Sequence, residues 1–148
     1  MVSVDQIKKL RDETDISISE CRKALEGAGG DFEKAKEILK KWGKELAQKK
    51  AERETKVGII DSYIHPNKKV GVLLEIQCES DFVAKSPDFQ KLSHELCLQL
   101  AAIDSEEIPF LEQGWIRDEK TLIKDLINQY IAKIGENIIV KRSIRYEL

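Results

Sequence analysis

The sequence predicts an α+β protein: a three-helix bundle followed by a small antiparallel sheet packed with helices. Three observations carry this. Helix caps punctuate the first 43 residues, the hydrophobic period switches to two after residue 56, and helical spacing returns from residue 88 before a last alternating segment. The expected organisation is a bundle over residues 1–43, a charged helical linker over 44–56 and an α+β core over 57–148.

Ser3 with Gln6 and Ser17 with Glu20 have the spacing of capping boxes, in which the hydroxyl accepts a backbone N–H and the third side chain reaches back. The first opens a helix with Val4, Ile7 and Leu10 on one face. The second opens one with Ile18, Cys21, Ala24 and Leu25. "GAGG", residues 27–30, stops that helix, because glycine tolerates the left-handed backbone beyond a helix end. Asp31 caps a third segment, with Phe32, Ala35, Ile38, Leu39 and Trp42 at helical spacing. "KKWGKELAQKKAERETK", residues 40–56, follows with seven basic and three acidic residues. Interleaved signs at i,i+4 read as a solvated helix; the other reading is a surface for RNA or an acidic protein.

Ile59 to His65 is a short strand, and "HPNKK", residues 65–69, turns it into a second. There Val70, Val72, Leu74, Ile76 and Cys78 alternate with Gly71, Leu73, Glu75, Gln77 and Glu79, the pattern of a half-buried strand. Phe89, Leu92, Leu96 and Leu100 restore helical spacing. A looser stretch leads to a helix with Leu122, Leu126 and Tyr130 beside Ile123, Ile127 and Ile131, ended by Gly135. The tail alternates again. Ile138, Val140, Arg142, Ile144, Tyr146 and Leu148 are expected under the helices, with Lys141, Arg145 and Glu147 in solvent. That leaves the strand edge, Leu73 and Ile139 as candidates for pairing with a second chain.

Composition narrows the function. A formal net charge of −2 with 35% charged residues gives no large field of one sign, so wholesale nucleic-acid binding is not expected. No apolar run reaches the ~20 residues of a membrane span, and the opening "MVSVDQIKKLRDE" lacks a signal-peptide core. Cys21, Cys78 and Cys97 are odd in number and far apart, which fits reduced thiols in a cytoplasmic protein. Enzyme chemistry finds little support. His65 and His94 stand apart from any nucleophile constellation, and His94 with Cys97 forms no complete metal set. No phosphate-binding glycine motif occurs, so no cofactor and no metal is expected.

One stretch resists a bland reading. In "CESDFVAKSPDF", residues 78–89, Asp81 and Phe82 sit where a polar strand-to-helix turn is expected. Burying such a ring is worth ~1.5–3 kcal/mol, so it either folds back onto its own core or is a wedge buried in a partner. Residue types alone are consistent with both.

The motifs that separate these readings are those of a known family. "LRDETDISISECRKAL" (Leu10–Leu25), continued by "GDFEKAKEILKKWG", and "VGVLLEIQCESDFVAKSPDF" (Val70–Phe89) resemble the two signature stretches of bacterial elongation factor Ts; "IAKIGENIIVKRSIRYEL" (Ile131–Leu148) is similar to its closing strand. The resemblance implies a ubiquitin-associated-like N-terminal bundle and a core with a small antiparallel sheet. It implies a guanine-nucleotide exchange factor for elongation factor Tu, with the Asp-Phe pair inserted near the partner's magnesium and phosphate region. Carried over, these residues are Asp81 and Phe82 with Val83 and Lys85 beside them, and the N-terminal contact face is Lys8, Leu10, Arg11, Ile18 and Ser19. Departures are visible. Ser80 stands for the usual Thr, "DISISEC" (Asp15–Cys21) for the usual "GAGMMDC", and little of the family's helical insertion remains between Ala102 and Lys120. Short one-core members of the family can pair as homodimers, and the same is expected here.

Overall fold

The computed structural model describes residues 2–148. Helices α1 (Val4–Thr14), α2 (Ile18–Gly27) and α3 (Phe32–Lys50) form the bundle. The Ser3–Gln6 capping box closes in both directions. At α2 only half of the expected box forms. Ser17 accepts from the Glu20 N–H, whereas the Glu20 carboxylate turns outward to Lys23 at 3.3 Å. Asp31 caps α3 by accepting from the Lys34 N–H. Gly29 and Gly30 both adopt positive φ, and the Gly30 N–H returns to the Leu25 carbonyl, closing α2. Ile7, Leu10, Cys21, Ala24, Leu25, Ala35 and Leu39 interlock as a small separate core.

The segment that reads as a charged linker is, up to Lys50, the continuation of α3. No breaker interrupts it, and its inner side is made of small residues that pack on the second half of the protein. A Cβ at Gly43 would lie 3.4 Å from Ala132, and Ala47 is buried among the core residues of that half. Lys133 adds an ionic tie, 3.0 Å from Asp15 at the end of α1 and 3.1 Å from Asp88.

The second half has strands β1 (Val57–Ile64) and β2 (Val70–Cys78), a one-turn helix α4 (Asp81–Ala84) and the long helix α5 (Pro87–Ala102). A two-strand ribbon, β3 (Gly114–Trp115) and β4 (Asp118–Leu122), precedes α6 (Ile123–Ile134) and β5 (Ile139–Glu147). The main sheet is antiparallel with order β1-β2-β5, covered on one face by α5 and α6. Val72, Leu74, Ile76 and Cys78 from β2 meet Phe89, Leu92, Leu96, Ile123, Leu126 and Ile127 there. The stretch before α6, loose in sequence, is organised by two buried amides. Gln99 donates to Gln113 and to the Gly114 carbonyl and accepts from the Ile116 N–H, and Gln113 donates to the Ile108 carbonyl.

The tail departs from its expected facing. Ile76 pairs with Val140 but Glu75 pairs with Arg142, so Lys141 is an extra residue, a β-bulge. One extra residue inverts every later side chain, because strand facing has a period of two. Ile138 and Val140 stay on the helix side as expected. Beyond the bulge, Ile144, Tyr146 and Leu148 are exposed and Arg145 turns inward. The Arg145 guanidinium donates to the Ala101 carbonyl at 3.0 Å, where the end of α5 leaves acceptors unpaired. The open sheet face therefore carries Ile60, Ile64, Leu73, Ile139, Ile144 and Tyr146, none of them covered.

Candidate functional site

The 78–89 stretch forms a mount with one bare ring. β2 ends at Cys78, and Ser80, in extended backbone, caps α4 by accepting the Val83 N–H at 3.3 Å. Val83 and Ala84 turn inward and are buried against the sheet and α5. Asp81 and Phe82 occupy the outer side of the same turn, and Phe82 is 84% exposed. The ring is not folded onto its own core. Two residues later a second cap begins α5, where Ser86 accepts from Phe89 N–H and donates its hydroxyl to the Val83 carbonyl at 2.7 Å. Gln90 donates to the Ala84 carbonyl at 2.8 Å. Each end of the turn is thus held by side chains, while its exposed side makes no ring contact.

The other residues singled out by sequence divide by burial. Lys85 is exposed at the end of α4; Val83 is a buried anchor. In the bundle, Lys8, Arg11, Ile18 and Ser19 are exposed, Ile18 at 46%. Leu10 is fully buried and supports that surface from beneath, as a heptad-type apolar residue of α1 must. Three participants outside the 78–89 stretch were not singled out: Gln90, Glu136 and Asn137. Glu136 and Asn137 lie more than 50 residues from the tip they touch, and nothing local in sequence announces such contacts.

The thiols give no reactive centre. Cys21, Cys78 and Cys97 are all free and buried. Burial holds the Cys78 thiol above its usual range, and burial, aided by Asp61, pushes Cys97 up to about 12. His94 faces solvent while Cys97 faces the core, so the two share no site. A thiol-reactive probe at pH 8 is expected to modify Cys97 at least ~100-fold more slowly in the native protein than in denaturant, since only the thiolate attacks. A fast cysteine in the native state would instead point to thiol chemistry. No described helix is long and apolar enough to cross a membrane.

The chain is similar to proteins of one family. The family described as "Elongation factor TS" matches residues 79–148, which begin at the mount and run through β5. Elongation factor Ts of Thermotoga petrophila is 41% identical over an alignment of 191 residues, covering 99% of this chain and 96% of the relative. The protein of the same name from Coprothermobacter proteolyticus is 38% identical, covering 99% and 98%. That from Thermoanaerobacter is 35% identical, covering 99% and 95%. Fold and relatives together define a translation elongation factor. The chain belongs to the elongation factor Ts family. An alignment of 191 residues against a chain of 148 means that internal residues of the relative have no counterpart here.

Proposed function

We propose that the protein is a guanine-nucleotide exchange factor that binds elongation factor Tu and promotes GDP release during translation elongation. The observation that carries this is Phe82: a bare ring on a turn braced at both ends, within a chain of the elongation factor Ts family. Asp81 and Phe82 enter the partner beside its magnesium and phosphate region, with Lys85 at the rim and Val83 holding the turn. Lys8, Arg11, Ile18 and Ser19 form the second contact, from the bundle.

No covalent chemistry is required. Nanomolar nucleotide binding is worth about −12 kcal/mol, much of it through phosphate and metal contacts. A protein that prefers the nucleotide-free conformation weakens nucleotide by the same factor by which nucleotide weakens it. A wedge and enough interface to hold it are sufficient. The division into a contact-bearing bundle, residues 1–43, a charged helical linker, 44–56, whose first part is the end of α3, and an exchange core, 57–148, follows the same reading.

The test is release of fluorescent GDP from elongation factor Tu of the same organism. Acceleration by orders of magnitude at saturating protein is expected, with no hydrolysis of nucleotide. An unchanged release rate, together with salt-dependent RNA retention in a gel shift, would favour instead an RNA- or ribosome-associated role for residues 40–56.

We also propose that the protein pairs with a second copy of itself through the open sheet face. Four of its apolar residues lie together: Leu73 is opposite Ser62 on one side and Ile144 on the other, and Gly71 lies between Ile64 and Tyr146. The Glu75–Arg142 ion pair, 2.6 Å apart, borders the patch.

A further inference from the structure

We propose that Glu136 is the positioning residue of the exchange tip, acting through Ser80 rather than by touching the partner. The proposal rests on the reading of Asp81 and Phe82 as the inserted pair.

The geometry is specific. Gly135 ends α6 with φ of 86°, and the next residue turns back toward the end of β2. One oxygen of the Glu136 carboxylate accepts the backbone N–H groups of both Glu79 and Ser80, each at 3.0 Å. The other accepts the Ser80 hydroxyl at 2.6 Å. The Ser80 oxygen, its proton committed to Glu136, offers a lone pair to the Val83 N–H and so sets the cap of α4. The contact is returned. Glu79 accepts the Asn137 N–H at 2.5 Å, and the buried Asn137 amide donates to the Arg53 carbonyl at 2.9 Å, where the chain leaves α3. Two adjacent residues, Glu136 and Asn137, thus lock the root of the tip to the linker.

The carboxylate answers a need of the backbone. Glu79 and Ser80 lie after the last β2 residue and before the first of α4, so neither sheet nor helix supplies acceptors for their N–H groups. A single ionised group satisfies both and orients the capping hydroxyl, with the shorter, stronger bonds that charge gives. The helix it caps has only four residues, too few to persist by itself. Phe82 is 84% exposed, so the direction in which it projects is set chiefly by the orientation of that turn. Val83 and Ala84 hold the turn down. Glu136 fixes where it starts.

The experiment is a double-mutant cycle on the full chain, read by fluorescent GDP release from elongation factor Tu. Glu136→Ala is expected to lower the maximal release rate by at least ~10-fold, as loss of charge-assisted bonds implies, with half-saturation changed less. Glu136→Gln keeps one acceptor and the side-chain shape and should fall between. In the Phe82→Ala background Glu136→Ala should have almost no further effect, because both act through the same ring. Amide hydrogen exchange on the free protein should show faster exchange at Glu79, Ser80 and Val83 in both Glu136 variants, with the α5 amides unchanged. Equal effects of Glu136→Ala with and without Phe82, or unchanged tip amides in Glu136→Gln, would overturn the proposal and leave only a role in stability. A wild-type protein that fails to speed release, or a fully active Phe82→Ala, defeats the reading of the tip itself, and the positioning role with it. If Glu136→Ala does not fold, the glutamine variant carries both readouts.

Discussion

Phe82→Ala is expected to reduce nucleotide exchange by roughly 30- to 1,000-fold while moving the melting temperature by no more than a degree or two. The two halves of this expectation come from different facts. In the free protein Phe82 is 84% exposed, and substitutions at such positions usually change stability by less than ~0.5 kcal/mol. In the complex, a buried aromatic anchor at the centre of an interface is worth about 2–4 kcal/mol, which converts to the stated range. Asp81→Ala should act in the same direction and less strongly, since its carboxylate is exposed and screened before binding. Val83→Ala is the informative contrast. Val83 is buried, so its truncation should cost ~1 kcal/mol or more of stability and lower exchange only indirectly, by loosening the turn. Thermal melts and GDP release on the same three variants separate these outcomes. A Phe82→Ala protein that melts as early as the Val83 variant would mean that the ring is packed at home after all.

The sequence made the helices and the two regular strands legible because their signals are local. Ser3, Ser17 and Asp31 each mark a helix start within four residues of the groups they bond. From Val70 to Cys78 the even positions are all apolar, and the buried residues of the strand, Val72, Leu74, Ile76 and Cys78, are all even-numbered. What stayed hidden was non-local. The bulge at Lys141 leaves no trace in the pattern, because Ile138, Val140, Ile144 and Tyr146 keep one parity on both sides of it. Only pairing with β2 reveals that the parity changes its meaning. The ribbon of β3 and β4 is similarly mute. Two residues of strand carry no period, and the amides of Gln99 and Gln113 that organise the region are 14 residues apart. At the tip, sequence located Asp81 and Phe82, but their exposure depends on Val83 and Ala84 being buried beneath them. Which side of a one-turn helix faces inward is a matter of packing, which spacing within four residues cannot decide.

The bulge also defines the second large expected effect, which concerns assembly. Because Ile144 and Tyr146 join Leu73, Ile60 and Ile64 on the open face, that face is more apolar than the alternation alone implies. An uncovered apolar patch of this kind, bordered by an ion pair, marks an interaction surface, and a two-fold axis lets the same patch serve both copies. Both outer strands, β1 and β5, also leave one edge unpaired, so an edge as well as the face is available to a second chain. Wild-type protein is expected to scatter light as two chains at high concentration and to melt at a temperature that rises with concentration, since association stabilises only the folded form. Ile144→Lys places a charge at the centre of the patch, opposite Leu73, without touching the helix-covered side. That variant should scatter as one chain throughout and lose the concentration dependence of melting. Its intrinsic stability should change by less than ~1 kcal/mol, because Ile144 is already 44% exposed in the single chain. GDP release by the variant then separates assembly from exchange. A monomer acting through Phe82 keeps its maximal rate, whereas a protein that needs both copies on the partner loses it together with its dimer mass. A wild-type mass of one chain at every concentration, alone and bound, would refute pairing through this face.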